Sequence, residues 1–293
     1  MRLHSLRQWF STAAPIIFVL LWSTGYLSSR IIRPHVEPLS FSAVRFAAVS
    51  LIFVLLVMLQ RTPWPKDLST WFHLAVCGIL IQGIFICGMM VAITGGLDMG
   101  IGALIGGMQP ILTALFASMF LGELVSRRQT AGFALGFFGL ALVLIQSINL
   151  GNVPIDSLII ALLAVLGITA GTVYQKRFVT NVNLLSGTAV QFFAALIPVS
   201  ALAIYFEDGQ IEWNFPVVAT AAWLVLAQSV GAVLILYAMI RAGAVSRVSS
   251  LFYLIPPICA VEGYVLFGER LSSLQLIGIA VVTFAVFIIN RPN

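Results

Sequence analysis

The chain has 293 residues, of which 60% are hydrophobic and only 9% charged, with a mean hydropathy of +1.07. A soluble domain carries about 25% charged residues to cover the surface that meets water, so lipid must cover most of this chain. A large catalytic domain in water, a nucleic-acid reader and a secreted disulfide scaffold are excluded, and the net charge of +5 reads as an excess of Lys and Arg in cytoplasmic loops.

Apolar runs bounded by Pro, Gly or charge predict ten helices, at about 12–33, 39–60, 69–94, 100–122, 129–147, 155–178, 184–206, 215–240, 247–268 and 273–290. A membrane span needs roughly 20 apolar residues, whereas strands usually stop at about 8. Arg2 and Arg7 before Pro15–Trp22 imitate a signal peptide, but the apolar run continues past Gly25 without a small-x-small cleavage site. It is read as a retained first helix.

Polar residues at membrane depth are costly, so each needs a reason. On the 12–33 helix, Trp22, Tyr26 and Ser29 share a face by i, i+4, i+7 spacing. They read either as one wall of a pocket for a small organic substrate or as packing. Arg45 on the 39–60 helix and Glu262 on the 247–268 helix lie at similar depth from the same outer side, roughly 9–11 Å in at 1.5 Å per residue. A structural ion pair, Arg45 snorkelling to the outer surface, an outer gate that opens when the pair breaks, and a proton-carrying Glu262 are the alternatives. Gln82 and Gln228 sit near the middle of the 69–94 and 215–240 helices, either as interhelical hydrogen bonds or as amides facing a central cavity. Thr169, Thr172 and Gln175 add polarity to the 155–178 helix, and Gln109 and Tyr253 are weaker candidates.

Eleven basic residues fall on one side of the predicted helices (Arg2, Arg7, Arg61, Lys66, Arg127, Arg128, Lys176, Arg177, Arg241, Arg247 and Arg291) and three on the other (Arg30, Arg33 and Arg270). The basic side is cytoplasmic by this bias. That places both termini in the cytoplasm and the protein, multi-pass, in the cytoplasmic (inner) membrane.

Shifting the chain against itself by 146 residues aligns Gly122-Glu123 through Ser126 and Gln129 with Gly268-Glu269 through Ser272 and Gln275. It also aligns Pro110 with Pro256, Gly25 with Gly171, Phe46 with Phe192, and Gln82 with Gln228. The chain therefore divides into two five-helix units, 1–147 and 148–293. Five is odd, so the copies cross the membrane in opposite directions, a recurring build of secondary transporters. Ser126-x-x-Gln129 and Ser272-x-x-Gln275 both read as capping boxes, and Glu123 and Glu269 as residues of the helix connections just before them.

These features resemble the drug/metabolite transporter superfamily, in its EamA-like branch. Trp22-Ser23-Thr24-Gly25-Tyr26, Pro38 through Arg45-Phe46, the paired Gly-Glu…Ser-x-x-Gln endings and Pro256-Pro257 carry the resemblance. It implies an all-α membrane protein of ten helices in two inverted repeats that exports small metabolites such as amino acids. One departure is that Ile168 stands at the position of Trp22 in the second half, so the halves of a central cavity are not equivalent.

Nothing in the sequence supports catalysis, a cofactor or a metal site. His4, His35 and His73 form no metal-ligand spacing, and no phosphate-binding G-x-x-x-x-G-K-[ST] loop occurs. The expectation is a secondary exporter of small, preferably amino-acid-like metabolites, surrounded by lipid, with protons as a possible coupling ion, as a monomer or weak homodimer. A multidrug, organic-cation or nucleotide-type transporter of the same fold is the alternative. A lipid-modifying membrane enzyme and a channel are the rivals from other classes.

Overall fold

A computed structural model describes residues 2–97, 99–145, 154–242, 245–267 and 272–291. Among them the chain is helical, apart from turns and one two-residue bridge, Val36 to Ile211. In chain order the helices are α1 (Arg2–Ile32), α2 (Pro38–Leu59), α3 (Leu68–Gly78), α4 (Gly88–Thr94), α5 (Met99–Gly106), α6 (Gln109–Leu121), α7 (Arg127–Leu144), α8 (Ile155–Phe178), α9 (Leu184–Phe206), α10 (Phe215–Trp223), α11 (Val233–Ala242), α12 (Val245–Ser250), α13 (Ile255–Phe267) and α14 (Ser273–Asn290). Several abut: α3 runs into α4 through a π-helical segment, Ile79–Cys87, and α10 into α11 through another, Leu224–Ala232.

Among the described residues eight stretches are long and apolar enough to cross a membrane, and within each spanning window only 28% to 56% is buried inside the protein. The rest points outward, as with Leu59, Ile204 and Phe215, a distribution that suits hydrocarbon and not water. Ala13–Ser29 in α1 is apolar but shorter, and α7 opens with Arg127 and Arg128. On this measure eight of the ten predicted spans qualify among the described residues.

Local chemistry sets the helix ends. Pro38 begins α2 at the position where a missing N–H costs nothing, and the Asp67 carboxylate accepts from Thr70 N at the start of α3. Ser126 Oγ accepts from Gln129 N while Gln129 Oε1 accepts from Ser126 N, and Ser272 and Gln275 do the same. Gly122 closes α6 in the left-handed conformation at φ 67°, which a residue without a Cβ adopts freely.

The helices of the two halves grip one another reciprocally. A Cβ added at Gly139 of α7 would lie 2.9 Å from the Val282 nitrogen of α14, and one at Gly278 would lie 2.7 Å from the Val143 nitrogen. Moving up one of these helices moves down the other, so α7 and α14 run antiparallel with their backbones nearly touching. Gly25 of α1 packs on Gln228, and its counterpart Gly171 of α8 packs on Ile81. Phe46 and Phe192 also meet, their ring centroids 5.6 Å apart at 70°. Phe46 and Phe192 thus touch across the 146-residue register, and α7 packs on α14, the helix in the corresponding place of the second half.

The two ends of the bundle differ in charge. At one end Glu207 accepts from Leu39 N and Ser40 N at the start of α2, where the helix dipole favours an anion, and His35 pairs with Glu212 at 2.6 Å. At the other end Arg177 donates to Phe120 O, and Lys176 to Ile240 O and Arg241 O, cations set on exposed helix-end carbonyls. Glu123 accepts from Val245 N there, joining the α6–α7 turn to the start of α12.

Candidate functional site

The centre of the molecule is organised by the two π-helical segments. Each carries one of the paired glutamines, Gln82 in Ile79–Cys87 and Gln228 in Leu224–Ala232. π turns are uncommon and concentrate at functional sites. No residue pattern announced them, and the sequence reading took both stretches as ordinary α-helix.

Gln228 lies in a polar cluster between three elements. Arg45 of α2, only 6% exposed, donates from Nη2 to Gln228 Oε1 at 2.7 Å, and from Nε and Nη2 to Ser229 Oγ at 3.0 and 2.8 Å. Gln228 Nε2 in turn donates to Trp22 O at 3.3 Å. Trp22, Gly25, Ser29, Arg45, Phe85, Met89, Met90 and Gln228 are among the residues around a cavity of about 50 Å³, room for a few water-sized groups at most. The Trp22 ring stacks on Phe85 at 6.3 Å and meets Phe252 edge-on at 5.4 Å. Ser29 also donates to Gly25 O in its own helix.

Gln82 takes different partners. Its Nε2 donates to the buried Tyr237 hydroxyl at 2.7 Å, and its Oε1 has no hydrogen-bond partner. Tyr237 is also part of the wall of a larger cavity of about 290 Å³, with Gln175, Lys176, Gln191 and Arg241. That cavity lies at the basic end, and the small one lies toward the acidic end. Tyr237 lines the large cavity and Phe85 the small one, and Gln82, three residues before Phe85, bonds Tyr237. Under the 146-residue shift Arg45 falls on Gln191 and Ser29 on Gln175. Two lining positions therefore correspond between the cavities, one holding a guanidinium where the other holds an amide.

The remaining candidates divide. Thr172 donates to Ile168 O and Thr169 O of its own helix. Thr169 Oγ1 and Gln109 Nε2 are buried without a partner. Tyr253 donates to Phe133 O at 3.0 Å and packs on Gly136, a bond between helices rather than toward either cavity. The Tyr26 side chain and Glu269 lie outside the described residues. Ser229 and Gln191 had not been singled out, although the 146-residue register would have shown Gln191 opposite Arg45.

The expected pairing of Arg45 with Glu262 does not form. Glu262 instead accepts from Ser23 Oγ at 2.6 Å, and its Oε2 is buried without a partner. α1 lies between the two groups: its Trp22 carbonyl receives Gln228 from the Arg45 cluster, while the adjacent Ser23 reaches Glu262 on α13. Cys77, Cys87 and Cys259 are free thiols. Among the described residues no group of three or more His, Cys, Asp or Glu is placed to hold a metal ion.

Comparison with known proteins agrees with this geometry. The profile of the EamA-like transporter family matches the chain twice, at residues 10–145 and 156–291. A protein of Escherichia coli K12 named as a probable amino-acid metabolite efflux pump is 21% identical, over 93% of this chain and 92% of its own length. Another protein from the same strain, named as the uncharacterized inner membrane transporter YedA, is 24% identical over 92% of this chain and 87% of its own. A solved crystal structure superimposes with a TM-score of 0.79 at 19% identity, covering 95% of this chain and 96% of the other. The fold is shared at that level.

Proposed function

The chain belongs to the EamA-like transporter family, and from that premise we propose that it is a secondary exporter of small, amino-acid-like metabolites, with ten spans in two inverted halves, 1–147 and 148–293. It is a membrane protein with lipid around it and a small molecule as cargo, as its family implies. It works without catalysis, in the cytoplasmic membrane, with both termini inside. The observation that carries the reading is the reciprocal packing of counterparts around two separate cavities. The antiparallel grip of α7 on α14 and the Phe46–Phe192 contact support an inverted pair, and rocking of such halves exposes a central site to each side in turn. The name of the similar efflux pump supports amino-acid-like cargo.

On this reading the large cavity opens to the cytoplasm past Lys176 and Arg241, and the small one is the outer half of the path, closed. Glu262, with one oxygen on Ser23 and the other unpartnered, is the group best placed to carry a coupling proton. Purified protein in liposomes should exchange labelled amino acids across the bilayer, and cysteines placed at Arg127 and Ser273 should react with impermeant reagents from opposite compartments. No exchange of any amino acid, or labelling of both cysteines from one side, would refute the proposal.

A further inference from the structure

Arg45 is built for an anion that the chain itself does not supply. A guanidinium has five N–H donors, and here Nε and Nη2 are used, both on neutral oxygens of Ser229 and Gln228. Nη1 donates to nothing among the described residues. No carboxylate among them lies within ion-pair distance either, since Glu207 is engaged at the start of α2 and Glu262 with Ser23. An arginine without a counter-charge at membrane depth is costly. At the counterpart position Gln191 is neutral and donates to Gln175 rather than to Gln82, so the charge is particular to the Arg45 side. Apart from Ser29 and Gln228, the cavity that Arg45 faces is apolar, with Trp22, Phe85, Met89, Met90 and Ile93 around it, and methionine walls adapt to varied shapes. It contains no acidic group to receive an ammonium.

We infer that Arg45 anchors a carboxylate of the cargo, and that the cargo is recognised as an apolar monocarboxylate whose amino group is not required. This rests on the transporter reading and sharpens it. The closed cavity of about 50 Å³ has no room for such a cargo, so binding accompanies opening of this half: an incoming carboxylate takes Nη1 and replaces Gln228 Oε1 on Nη2, giving the two parallel bonds a guanidinium makes best. In doing so it removes one of the ties between α2 of the first half and the π-helical segment of the second, leaving those to Ser229, so cargo binding loosens a contact that must break for the halves to rock.

Two shape-matched probes test this, 3-phenylpropanoate and 3-phenylpropanamide, titrated against the purified full-length protein in micelles with thermal stabilisation as the readout. The acid should bind about tenfold or more tightly than the amide, the scale of a charge-assisted hydrogen bond. Arg45→Gln should bring the ratio to near one, and Arg45→Lys, which keeps the charge without the fork, should retain part of it. Equal binding by the native protein, or an acid preference that survives Arg45→Gln, would overturn the inference. If the Gln variant yields no folded protein, the native acid-to-amide ratio and the Lys variant decide. Counterflow of labelled phenylalanine in liposomes is scored separately. Flux without acid preference removes the anchor and leaves the transporter, whereas acid preference without flux does the reverse.

Discussion

Substituting alanine for Gly25 puts a methyl group where Gln228 now lies. The added Cβ would sit 1.8 Å from Gln228 Nε2 and 2.9 Å from Cδ, so the amide must leave. Its departure breaks the bond from Arg45 Nη2 and the one to Trp22 O. A hydrogen bond to a charged group contributes about 1.5–3 kcal/mol, while alanine favours the helix over glycine by about 0.8–1.0 kcal/mol. The net destabilisation is therefore about 0.5–2 kcal/mol. Gly83, whose nearest prospective neighbours are 4.0 Å away, is the control, and Gly83→Ala should be neutral or stabilising by up to about 1 kcal/mol. The assay is equilibrium unfolding in mixed micelles, arranged as a double-mutant cycle. In Gly25→Ala/Gln228→Ala the clash is gone, so the second substitution should cost less than it does alone. Strict additivity of the two would refute the argument that Gly25 exists to seat Gln228.

Three further outcomes are expected. Gln82→Leu leaves the buried Tyr237 hydroxyl unsatisfied and should cost about 1–3 kcal/mol in unfolding, whereas Gln82→Leu/Tyr237→Phe, which removes both partners, should recover most of that loss. If Glu262 carries the coupling proton, Glu262→Gln should abolish flux driven by a pH gradient while retaining substrate exchange, and unchanged pH dependence in liposomes would exclude the role. The Thr70 hydroxyl, and then its backbone N–H, hold the Asp67 carboxyl below the usual carboxylate range. The carboxylate thus stabilises the first turn of α3 above the unfolded-state value, and that support is lost as pH falls through the lowered one. Hydrogen-exchange protection at Thr70 should drop over that acid window in the native chain and be flat in Asp67→Asn.

Much of the helical plan was legible in the sequence because the bilayer imposes it. Apolar length sets where helices run, and the boundaries at Pro38, Gly122, Ser126 and Ser272 are written in residues with one dominant local preference. The register of 146 residues was legible too, since it depends on identity at matched positions. The partners of buried polar groups were less so. Arg45 and Glu262 share a depth, and depth was all that sequence spacing could supply; which side of α1 each approaches depends on helix rotation, which no apolar run records. Tyr253 had the composition of a cavity residue, but the Phe133 carbonyl and the gap at Gly136 claimed it for packing. The π-helical turns stayed hidden because a change of winding inside a long, mostly apolar stretch leaves no periodicity to detect.

Those wide turns also settle a question of length. The stretches that contain them, Leu68–Thr94 and Phe215–Ala242, run to 27 and 28 residues, whereas Pro38–Leu59 has 22. At 1.5 Å per residue the two longer stretches would reach about 40 Å, well past a hydrocarbon layer of about 30 Å. A wider coil takes up more residues per turn and so shortens the rod, and the slack collects at the level of the two glutamines. Each of these rods therefore holds a reserve of unextended chain at mid-membrane, where a winding change of one residue turns everything beyond it about the rod's axis without exposing either end.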